Sequence, residues 1–324
     1  MRVLSYIHTF NGDDIIDRAI NAVRHQTRRP DGFLLVDNAS TDGIRDRTFP
    51  EDVTIIWNSA NLGTSGAIGI GFTYALEHGY DWIWILDADS VPEPDALAML
   101  LDAYAAWPNR LQQETGFLSC LPLEPPDSRP MHGRLFTSYG RLVISPPPQP
   151  RVYMCHVKIW SGCLYRLAAV RDVGLPNPDY FLDRGELEYA YRVMKAGYKG
   201  FIHQDSILQH NVGGAPSPAM THRKVGPFSL TFYELAPLRC YLVCRNTLYF
   251  TLYDLEETPL AKFYELWWLR SRPGRSVMSG VVWQTMFLTL NFALRPRTHA
   301  AQFMACLRGM WHGLTGNIAA RYYI

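Results

Sequence analysis

The first half of the sequence alternates short apolar runs with segments of helical periodicity, and this alternation constrains the fold more than any other feature. A helix between two apolar strands is the pattern of a parallel sheet with crossover helices. Strands are predicted at residues 2–8, 32–36, 54–57, 82–86 and 116–121, and helices at 13–26, 65–78 and 94–107. Asp13 or Asp14 and Ser65 are the expected helix starts, and Gly79 an expected end. The sequence therefore predicts an α/β fold with a mostly parallel, Rossmann-like sheet flanked by helices.

The second half is less regular. Residues 122–150 are rich in Pro, Asp and Ser and include a hairpin pattern, LFTSYGRLVI, so we expect a loop excursion there. A strand is predicted at 153–159, a helix at 185–196 and a strand at 199–208. From Phe228 the pattern is helical almost to the end, and we therefore predict two domains, residues 1–225 and a helical region at 226–324.

Composition limits the class of protein. With 324 residues, 48% of them hydrophobic and 19% charged, the chain can form one large domain with an appendage. A net charge of +1 gives no reason to expect a nucleic-acid partner. The six cysteines show no CxxC spacing, and the first twelve residues are too polar for a signal-peptide core. These features predict a cytoplasmic protein with reduced thiols.

Residues 277–294 form the longest apolar segment, but Gln284 and Asn291 interrupt it, so a helix at a surface is expected and not a membrane span. Its flanks are rich in arginine and tryptophan: Arg270, Arg272, Arg275, Arg295, Arg297, Trp267, Trp268 and, inside it, Trp283. This composition is typical of a helix on an anionic bilayer. A helix packed on the protein or on a second subunit of a homo-oligomer is equally compatible.

Two aspartates, Asp87 and Asp89, follow directly after the apolar run at 82–86. Two carboxylates at the end of a buried strand repel each other unless a cation or solvent offsets them. In an open α/β sheet that end of the strand is where ligands bind. The pair therefore suits Mg²⁺ or Mn²⁺ holding a phosphate-bearing substrate, with a solvated turn or a helix cap as the alternative.

Short polar side chains follow the neighbouring strands. Thr9 and Asn11 end the first predicted strand, and Asp37 and Asn38 end the second, where a nucleobase and ribose could be bound, with Asp37 as partner of a base N–H. A simple turn explains this segment as well. The third strand leads into a glycine-rich segment from Asn61 and Gly63 onward, which could cradle a diphosphate. Close packing of small residues against the sheet is the alternative.

Three acids lie close together in the segment from Asp183 to Arg192. Glu188 and Arg192 are four residues apart and suit an ion pair on a helix. Glu186 has no such structural duty and is the carboxylate best suited to deprotonate a hydroxyl nucleophile. His210, at the end of the strand at 199–208 and before Asn211 to Gly214, could complete a metal shell with Asp89.

In this order the motifs resemble glycosyltransferase family 2, the inverting nucleotide-sugar transferases of the GT-A fold. The resemblance spans about residues 1–214. It is nearest to the rhamnosyltransferase and galactofuranosyltransferase branch, whose Arg-Asn-x-x-Tyr motif corresponds to Arg245, Asn246 and Tyr249. The matching positions are Thr9-Phe10-Asn11, Asp37-Asn38-x-Ser40, Asn61-x-Gly63-x-x-Gly66, Asp87-x-Asp89, Trp160-Ser161-Gly162, Asp183-x-x-Glu186-x-Glu188, Arg192 and His210.

The resemblance implies roles for these residues. Asp37 would bind the base, Asp87 the ribose or the metal, Asp89 and His210 the metal and diphosphate, and Glu186 would be the base. Two positions depart from the family pattern: Gly12 replaces a basic residue, and Glu186 replaces a more frequent aspartate. Trp160 and Tyr180 are candidate platforms for the sugar ring.

The function expected from these features is metal-dependent, inverting transfer of a rhamnose-type or galactofuranose-type sugar in cell-surface polysaccharide synthesis. The donor would carry UDP or dTDP, and the acceptor would be a glycan or a polyprenyl-linked glycan. The enzyme would be cytoplasmic or peripheral on the cytoplasmic face of the inner membrane. Two alternatives stay open: a non-catalytic nucleotide-sugar-binding scaffold and a sugar nucleotidyltransferase.

Overall fold

A computed structural model describes residues 1–124, 128–137, 140–143, 151–210, 219–225, 228–254, 277–295 and 298–320. The chain divides into two compact units. The first comprises Met1–Leu135, Val143–Pro178 and Gly185–Gly214, and the second Phe136–Leu142, Asp179–Arg184 and Ala215–Ile324. The predicted domain boundary at 225/226 stays a prediction.

The first unit is built on one large sheet. Its strands are β1 (Val3–Thr9), β2 (Gly32–Asp37), β3 (Thr54–Trp57), β4 (Trp82–Asp87), β5 (Val91–Pro92), β6 (Thr115–Glu124), β7 (Arg129–Pro130), β10 (Val152–Cys155), β11 (Cys163–Arg166) and β12 (Lys199–Gln209). Strands β8 (Arg134–Thr137) and β9 (Gly140–Val143) pair with each other in a separate two-stranded sheet. The order along the main path is β10-β12-β6-β11-β4-β1-β2-β3. Strands β4, β1, β2 and β3 are mutually parallel, so their carboxyl ends lie along one edge.

Strand β4 explains why its sequence is apolar without alternation. Trp82, Trp84 and Leu86 pack into the core on one face of the sheet, and Ile83 and Ile85 into the core on the other. A strand covered on both faces gains free energy from burying every side chain, so a continuous apolar run is favoured. The polar Asp87 that follows is the first residue of this strand to reach solvent.

Within its described residues the first unit contains six α-helices: α1 (Ile16–Arg24), α2 (Gly63–Glu77), α3 (Ala96–Ala105), α4 (Asn109–Glu114), α5 (Leu167–Val173) and α6 (Gly185–Lys195). The predicted end of α2 at Gly79 is confirmed, since Gly79 has φ +67° and its N–H bonds to the carbonyl of Leu76. The predicted start at Ser65 is wrong, because the helix already begins at Gly63 and Ser65 is buried within it.

The sheet is mixed, since β11 runs antiparallel to both β4 and β6, and β10 antiparallel to β12. Strand β11 was missed because its four residues carry too little periodicity to separate from the neighbouring helix. The expectation of continuous helix from Phe228 is also wrong. Residues Phe228–Glu234 form a strand (β14) that pairs with Ala219–Val225 (β13), and the next helix, α7, covers Pro237–Tyr249.

In the second unit, α7 packs with helices at Val277–Ala293 and Ala300–Leu314 around Cys240, Cys244, Phe292 and Cys306. Close packing on α7 depends on glycine: a Cβ at Gly309 would stand 2.3 Å from the carbonyl oxygen of Tyr241. The described parts of the chain contain no helix with the length and apolar character needed to cross a bilayer. Trp267, Trp268, Arg270, Arg272, Arg275 and Arg297 lie outside the described residues, as does the side chain of Trp283.

Candidate active site

The carboxyl-terminal edge of the sheet brings Asp87, Asp89 and His210 together, as the sequence predicts. Asp87 ends β4, Asp89 follows it in the turn, and His210 follows β12. One ligand atom from each residue lies within 4.8 Å of the others, and all three side chains are partly exposed. These residues form the carboxylate–histidine cluster.

A chain of hydrogen bonds supports the cluster from behind. The N–H of Asp87 donates to the Ser161 hydroxyl at 3.1 Å, and that hydroxyl donates to the Ser90 Oγ at 2.8 Å. Ser90 Oγ lies 2.9 Å from His210 Nδ1. Ser161, one of the positions that match the family pattern, therefore links Asp87 to His210 through Ser90, a supporting residue that sequence reasoning missed.

Gly162 belongs to the same support. Its φ is +84°, a left-handed conformation that strains any residue with a Cβ. Its N–H bonds to the carbonyl of Ile85 at 2.8 Å, and its own carbonyl accepts from Cys120 at 3.0 Å. The Ser161-Gly162 dipeptide is thereby attached to β4 and held against the end of the cluster's own strand.

The surroundings of the Asp89 carboxyl disfavour its charged form. Burial raises the pKa of the Asp89 carboxyl above its usual value, and the charge of Asp87 raises it further, while His210 acts in the opposite direction. His8, which sequence reasoning also missed, lies beside Asp87 on β1, with Nε2 3.4 Å from Oδ1. Two aspartates and a histidine that gather in this way fit Mg²⁺ or Mn²⁺, which prefer carboxylate oxygen and tolerate imidazole.

The neighbouring strand ends look different. Asn38 is buried and bonds to Asn61 Oδ1 at 2.9 Å and to the carbonyl of Gly63 at 3.2 Å, and it accepts from Asn58 and from the N–H of Leu62. Asn58, Asn38 and Asn61 form the amide cluster. Because the N–H groups of Leu62 and Gly63 bond to Asn38 and Asn61, neither is available to a diphosphate, contrary to the cradle expected there.

Asp37 lies beside the amide cluster and is completely enclosed. Its carboxylate pairs with Arg45 at 2.7 Å and accepts from the N–H of Ser40 at 3.3 Å. Arg45 also lies over the ring of the half-exposed Trp57, 5.5 Å from its centroid. The carboxylate predicted to bind the base is therefore already paired in this conformation. Its partner Arg45, eight residues further along the chain, is the group of this pair that is exposed to solvent.

The end of β1 is linked to the loop after β2. The N–H of Asn11 donates to Ser40 Oγ at 2.8 Å, and Asn11 Oδ1 accepts from the N–H of Thr41 at 2.7 Å. Asn11 has φ +54°, a conformation that asparagine tolerates better than most residues. Thr9 is buried, and within the described part of the chain its hydroxyl has no hydrogen-bond partner. Gly12 is needed here, because a Cβ would stand 2.4 Å from that hydroxyl.

The aromatic residues expected to face a sugar do not do so. Trp160 is 5% exposed and packs against Phe72, Tyr165 and Tyr189. Tyr180 is fully buried and its hydroxyl bonds to Asp254. Burial of both aromatic rings in the core is favourable, and neither ring is accessible to a sugar. The prediction that they are sugar platforms is therefore wrong, and their role is packing.

Glu186 lies in the first turn of α6 and is partly exposed. Burial raises the pKa of the Tyr165 phenol on β11, and the negative charge of Glu186 is the smallest of the further causes that raise it. The predicted pairing of Glu188 with Arg192 is confirmed. Glu188 therefore has a structural role, and Glu186 remains the partly exposed acid of this turn.

In the second unit, the segment before α6 is held in a strained conformation. Phe181, Asp183 and Arg184 all have positive φ, which costs free energy for residues with a side chain. Asn246 of α7 donates to the carbonyls of Tyr180, Leu182 and Asp183 at 2.7 to 2.9 Å. Arg239 forms two hydrogen bonds of 3.2 Å to the carboxylate of Asp183.

These contacts give the Arg-Asn-x-x-Tyr motif a local role. Arg245 donates to the carbonyl of Asp179 at 2.6 Å, next to the segment that Asn246 holds. The two residues therefore bind the backbone of the segment that contains Asp183, and they do so from adjacent positions on one helix. This explains the pair Arg245-Asn246 without requiring contact with substrate.

Comparison with known proteins agrees with this arrangement. Residues 6–111 match the family described as glycosyl transferase family 2. Galactofuranosyltransferase GlfT1 of Mycolicibacterium smegmatis is 27% identical over 202 residues, which cover 60% of this chain and 66% of that protein. Residues 6–111 therefore carry a glycosyl transferase family 2 domain. The chain is a transferase similar to the rhamnosyl and galactofuranosyl branch of that family.

One further relative and one solved structure are also similar to this chain. An N-acetylglucosaminyl-diphospho-decaprenol L-rhamnosyltransferase of Mycobacterium tuberculosis is 24% identical over 248 residues, covering 66% of this chain and 78% of that protein. Among solved structures, a mannosyltransferase from Pyrobaculum calidifontis in complex with GDP-Man and Mn²⁺ aligns with a TM-score of 0.53 at 14% identity, over 97% of this chain and 87% of the other. The structural similarity shows that the fold is GT-A.

Proposed function

We propose that this protein transfers a sugar of the rhamnose or galactofuranose type, with inversion, from a UDP or dTDP donor to a glycan or polyprenyl-linked acceptor. The observation that carries the proposal is the convergence of Asp87, Asp89 and His210 at the ligand-binding edge of the sheet. The names of the two mycobacterial relatives supply the sugar types and the lipid-linked acceptor. Synthesis of a cell-envelope polysaccharide on the cytoplasmic face of the membrane follows as part of the proposal.

Asp89 and His210, with Asp87, would hold Mg²⁺ or Mn²⁺. When bound, such an ion neutralises charge on the departing diphosphate. Ser161 and Ser90 fix the orientation of Asp87 and His210 through the hydrogen-bond chain behind them. Asp87 combines contact with His8 and partial exposure, which suits a ribose hydroxyl or the ion.

Glu186 would accept the proton of the acceptor hydroxyl as that oxygen attacks the anomeric carbon. A single displacement opposite the leaving diphosphate inverts the configuration and requires no covalent intermediate. The carboxylate is suited to this role because it is partly exposed, while Glu188, its neighbour on the same turn, is paired with Arg192. The nucleobase would lie near the ends of β2 and β3, where Arg45 and Trp57 reach solvent.

A panel of UDP and dTDP sugars tests the proposal. The purified protein should release nucleoside diphosphate from one donor in the presence of acceptor, and EDTA should stop this release until Mn²⁺ or Mg²⁺ is restored. Release of pyrophosphate would indicate a nucleotidyltransferase instead. Glu77→Gln, which changes an exposed glutamate at the end of α2, should behave as wild type. No turnover with any donor, together with intact donor binding, would contradict the proposal and favour a binding subunit.

A further inference from the structure

Two neighbouring helices of the second unit each expose an apolar stripe. On the helix Val277–Ala293 and the residue after it, the exposed residues include Met286, Phe287, Leu290 and Leu294. They are spaced so that they share one face of the helix. The opposite side carries Leu288, Thr289 and Phe292, which are buried.

The helix Ala300–Leu314 repeats this division. Its exposed residues Met304, Leu307, Trp311 and Leu314 follow the three- and four-residue spacing of one helical face, and Trp311 is 65% exposed. Its opposite face packs closely on α7. A Cβ at Gly313 would stand 2.7 Å from the carbonyl oxygen of Arg245. The face of this helix that contacts α7 is closely packed. The apolar stripe therefore lies on the side that faces away from α7.

The two adjacent helices together expose eight large apolar side chains. This is more exposed apolar surface in one region than monomeric soluble proteins usually have. Exposed apolar residues are normally scattered singly, and a contiguous set marks a surface that another phase or molecule covers. Methionine, leucine, phenylalanine and tryptophan are also the residues that enter the boundary between lipid headgroups and acyl chains.

The charge of this part of the chain identifies the partner. The sequence from Leu266 to Ile324 contains no aspartate or glutamate, but contains the arginines Arg270, Arg272, Arg275, Arg295, Arg297, Arg308 and Arg321. Arg308 is exposed and lies between Leu307 and Trp311 on the apolar stripe. A second copy would bring the same positive charge against itself, and like charges across an interface are costly. An anionic bilayer complements both the charge and the apolar stripes.

We infer that the two apolar stripes, together with Arg308, dock this protein on the surface of an anionic phospholipid bilayer. The inference deepens the proposed function, because it brings the active protein to the surface where a polyprenyl-linked acceptor resides. Its physical basis is independent of the reaction, since it rests on exposure, helical spacing and charge. Docking by this face inserts Trp311 and the leucines beside it at the headgroup boundary.

Vesicle co-sedimentation of the full chain, without nucleotide sugar, tests the inference separately from the transferase reaction. Wild type should bind vesicles of equimolar phosphatidylglycerol and phosphatidylcholine, and bind vesicles of phosphatidylcholine alone much less. The double variants Trp311→Ser with Leu314→Ser, and Leu290→Ser with Leu294→Ser, should each weaken binding about tenfold or more through lost apolar insertion. Arg308→Gln should weaken binding to the anionic vesicles only.

Leu175→Ser is the matched control, because Leu175 is similarly exposed but belongs to the first unit. The substituted positions are all exposed, and far-ultraviolet circular dichroism verifies that each variant folds. Equal binding by wild type and both double variants would overturn the inference. The inference would also be overturned if wild type bound neither vesicle type but formed a dimer, and the double variants were monomeric. In that case the apolar stripes of two copies would cover each other.

Discussion

The amide cluster and the carboxylate–histidine cluster lie at the same edge of one sheet, and they differ in how their polar groups are satisfied. In the amide cluster, Asn38 is buried and bonds to side chains and backbone around it. In the carboxylate–histidine cluster, Asp87 and Asp89 are partly exposed and near each other, and burial together with the charge of Asp87 raises the pKa of the Asp89 carboxyl. Side chains and backbone of the protein complete the first cluster, whereas in the proposed function a divalent cation completes the second.

This difference separates residues that shape the edge from residues that act on a ligand. A buried polar group with all its bonds made stabilises the fold and has little left to offer a substrate. Like charges left together reduce stability, and a protein keeps them where function requires them. The two clusters should therefore respond to substitution in opposite ways.

The largest effect is expected at the reacting group. Glu186→Gln should lower the rate of sugar transfer about 10³-fold, since an amide cannot accept the proton of the acceptor hydroxyl. Donor affinity, measured by isothermal titration with the nucleoside diphosphate, should stay within about twofold because the acid is not predicted to bind the donor. Near-normal transfer by this variant would remove Glu186 from the mechanism.

Within the amide cluster, Asn38→Ala should reduce the free energy of unfolding by about 2 kcal/mol, because it removes the hydrogen-bond partner of the buried Asn58 side chain and of the Leu62 N–H. Urea unfolding measures this change. Asn38→Asp keeps an acceptor for the N–H of Leu62 and should cost less than the alanine variant. If both variants unfold like wild type, the cluster is not what holds the strand end to α2.

An intermediate effect is expected at the residues that hydrogen-bond to the proposed cation ligands. Ser161→Ala breaks the link from Asp87 to Ser90 and should weaken Mn²⁺ binding about tenfold, as substitutions behind metal ligands usually do. Ser119→Ala is the control, because Ser119 is equally buried but its hydroxyl donates to the carbonyl of Cys120 and does not contact Asp87 or Ser90 in the described hydrogen bonds. Equal losses in the two variants would point to general loosening of the core.

The smallest effect has the opposite sign. In EDTA, Asp89→Asn should raise the melting temperature by about 2 °C, because it removes one of two repelling charges from a cluster without a cation. Differential scanning calorimetry in EDTA and in Mn²⁺ measures the melting temperature of both proteins. Added Mn²⁺ should raise the melting temperature of wild type and leave that of the variant unchanged. A variant less stable than wild type in EDTA would mean that Asp89 is a structural residue.

Much of this architecture follows from the sequence. The apolar run of β4 and the aspartates after it predict the strand, its burial and the site at its end, because burial on both faces and charge at the edge have distinct sequence patterns. Glu188 and Arg192 are paired as their spacing predicts. His210 joins the two aspartates although more than a hundred residues separate them, and its position at a strand end, together with the family resemblance, linked it to Asp89.

Other features depend on contacts that no local pattern records. The antiparallel strand β11 and the hairpin of β13 and β14 are short, and their register depends on partners far along the chain. Ser90 and Arg45 are common residue types in turns, and only the folded structure brings them to His210 and Asp37. Burial of Trp160 and Tyr180 likewise depends on packing with distant rings, which aromatic character alone does not predict.

Mn²⁺ binding followed by electron paramagnetic resonance, in the presence of UDP, tests the central claim most directly. Wild type should bind Mn²⁺ at a single site and Asp89→Asn should lose that binding, while Asn38→Asp should retain it because the amide cluster holds no cation. Unchanged Mn²⁺ binding in Asp89→Asn, or no binding by wild type, would contradict the claim that Asp87, Asp89 and His210 form the divalent-cation site of this glycosyltransferase.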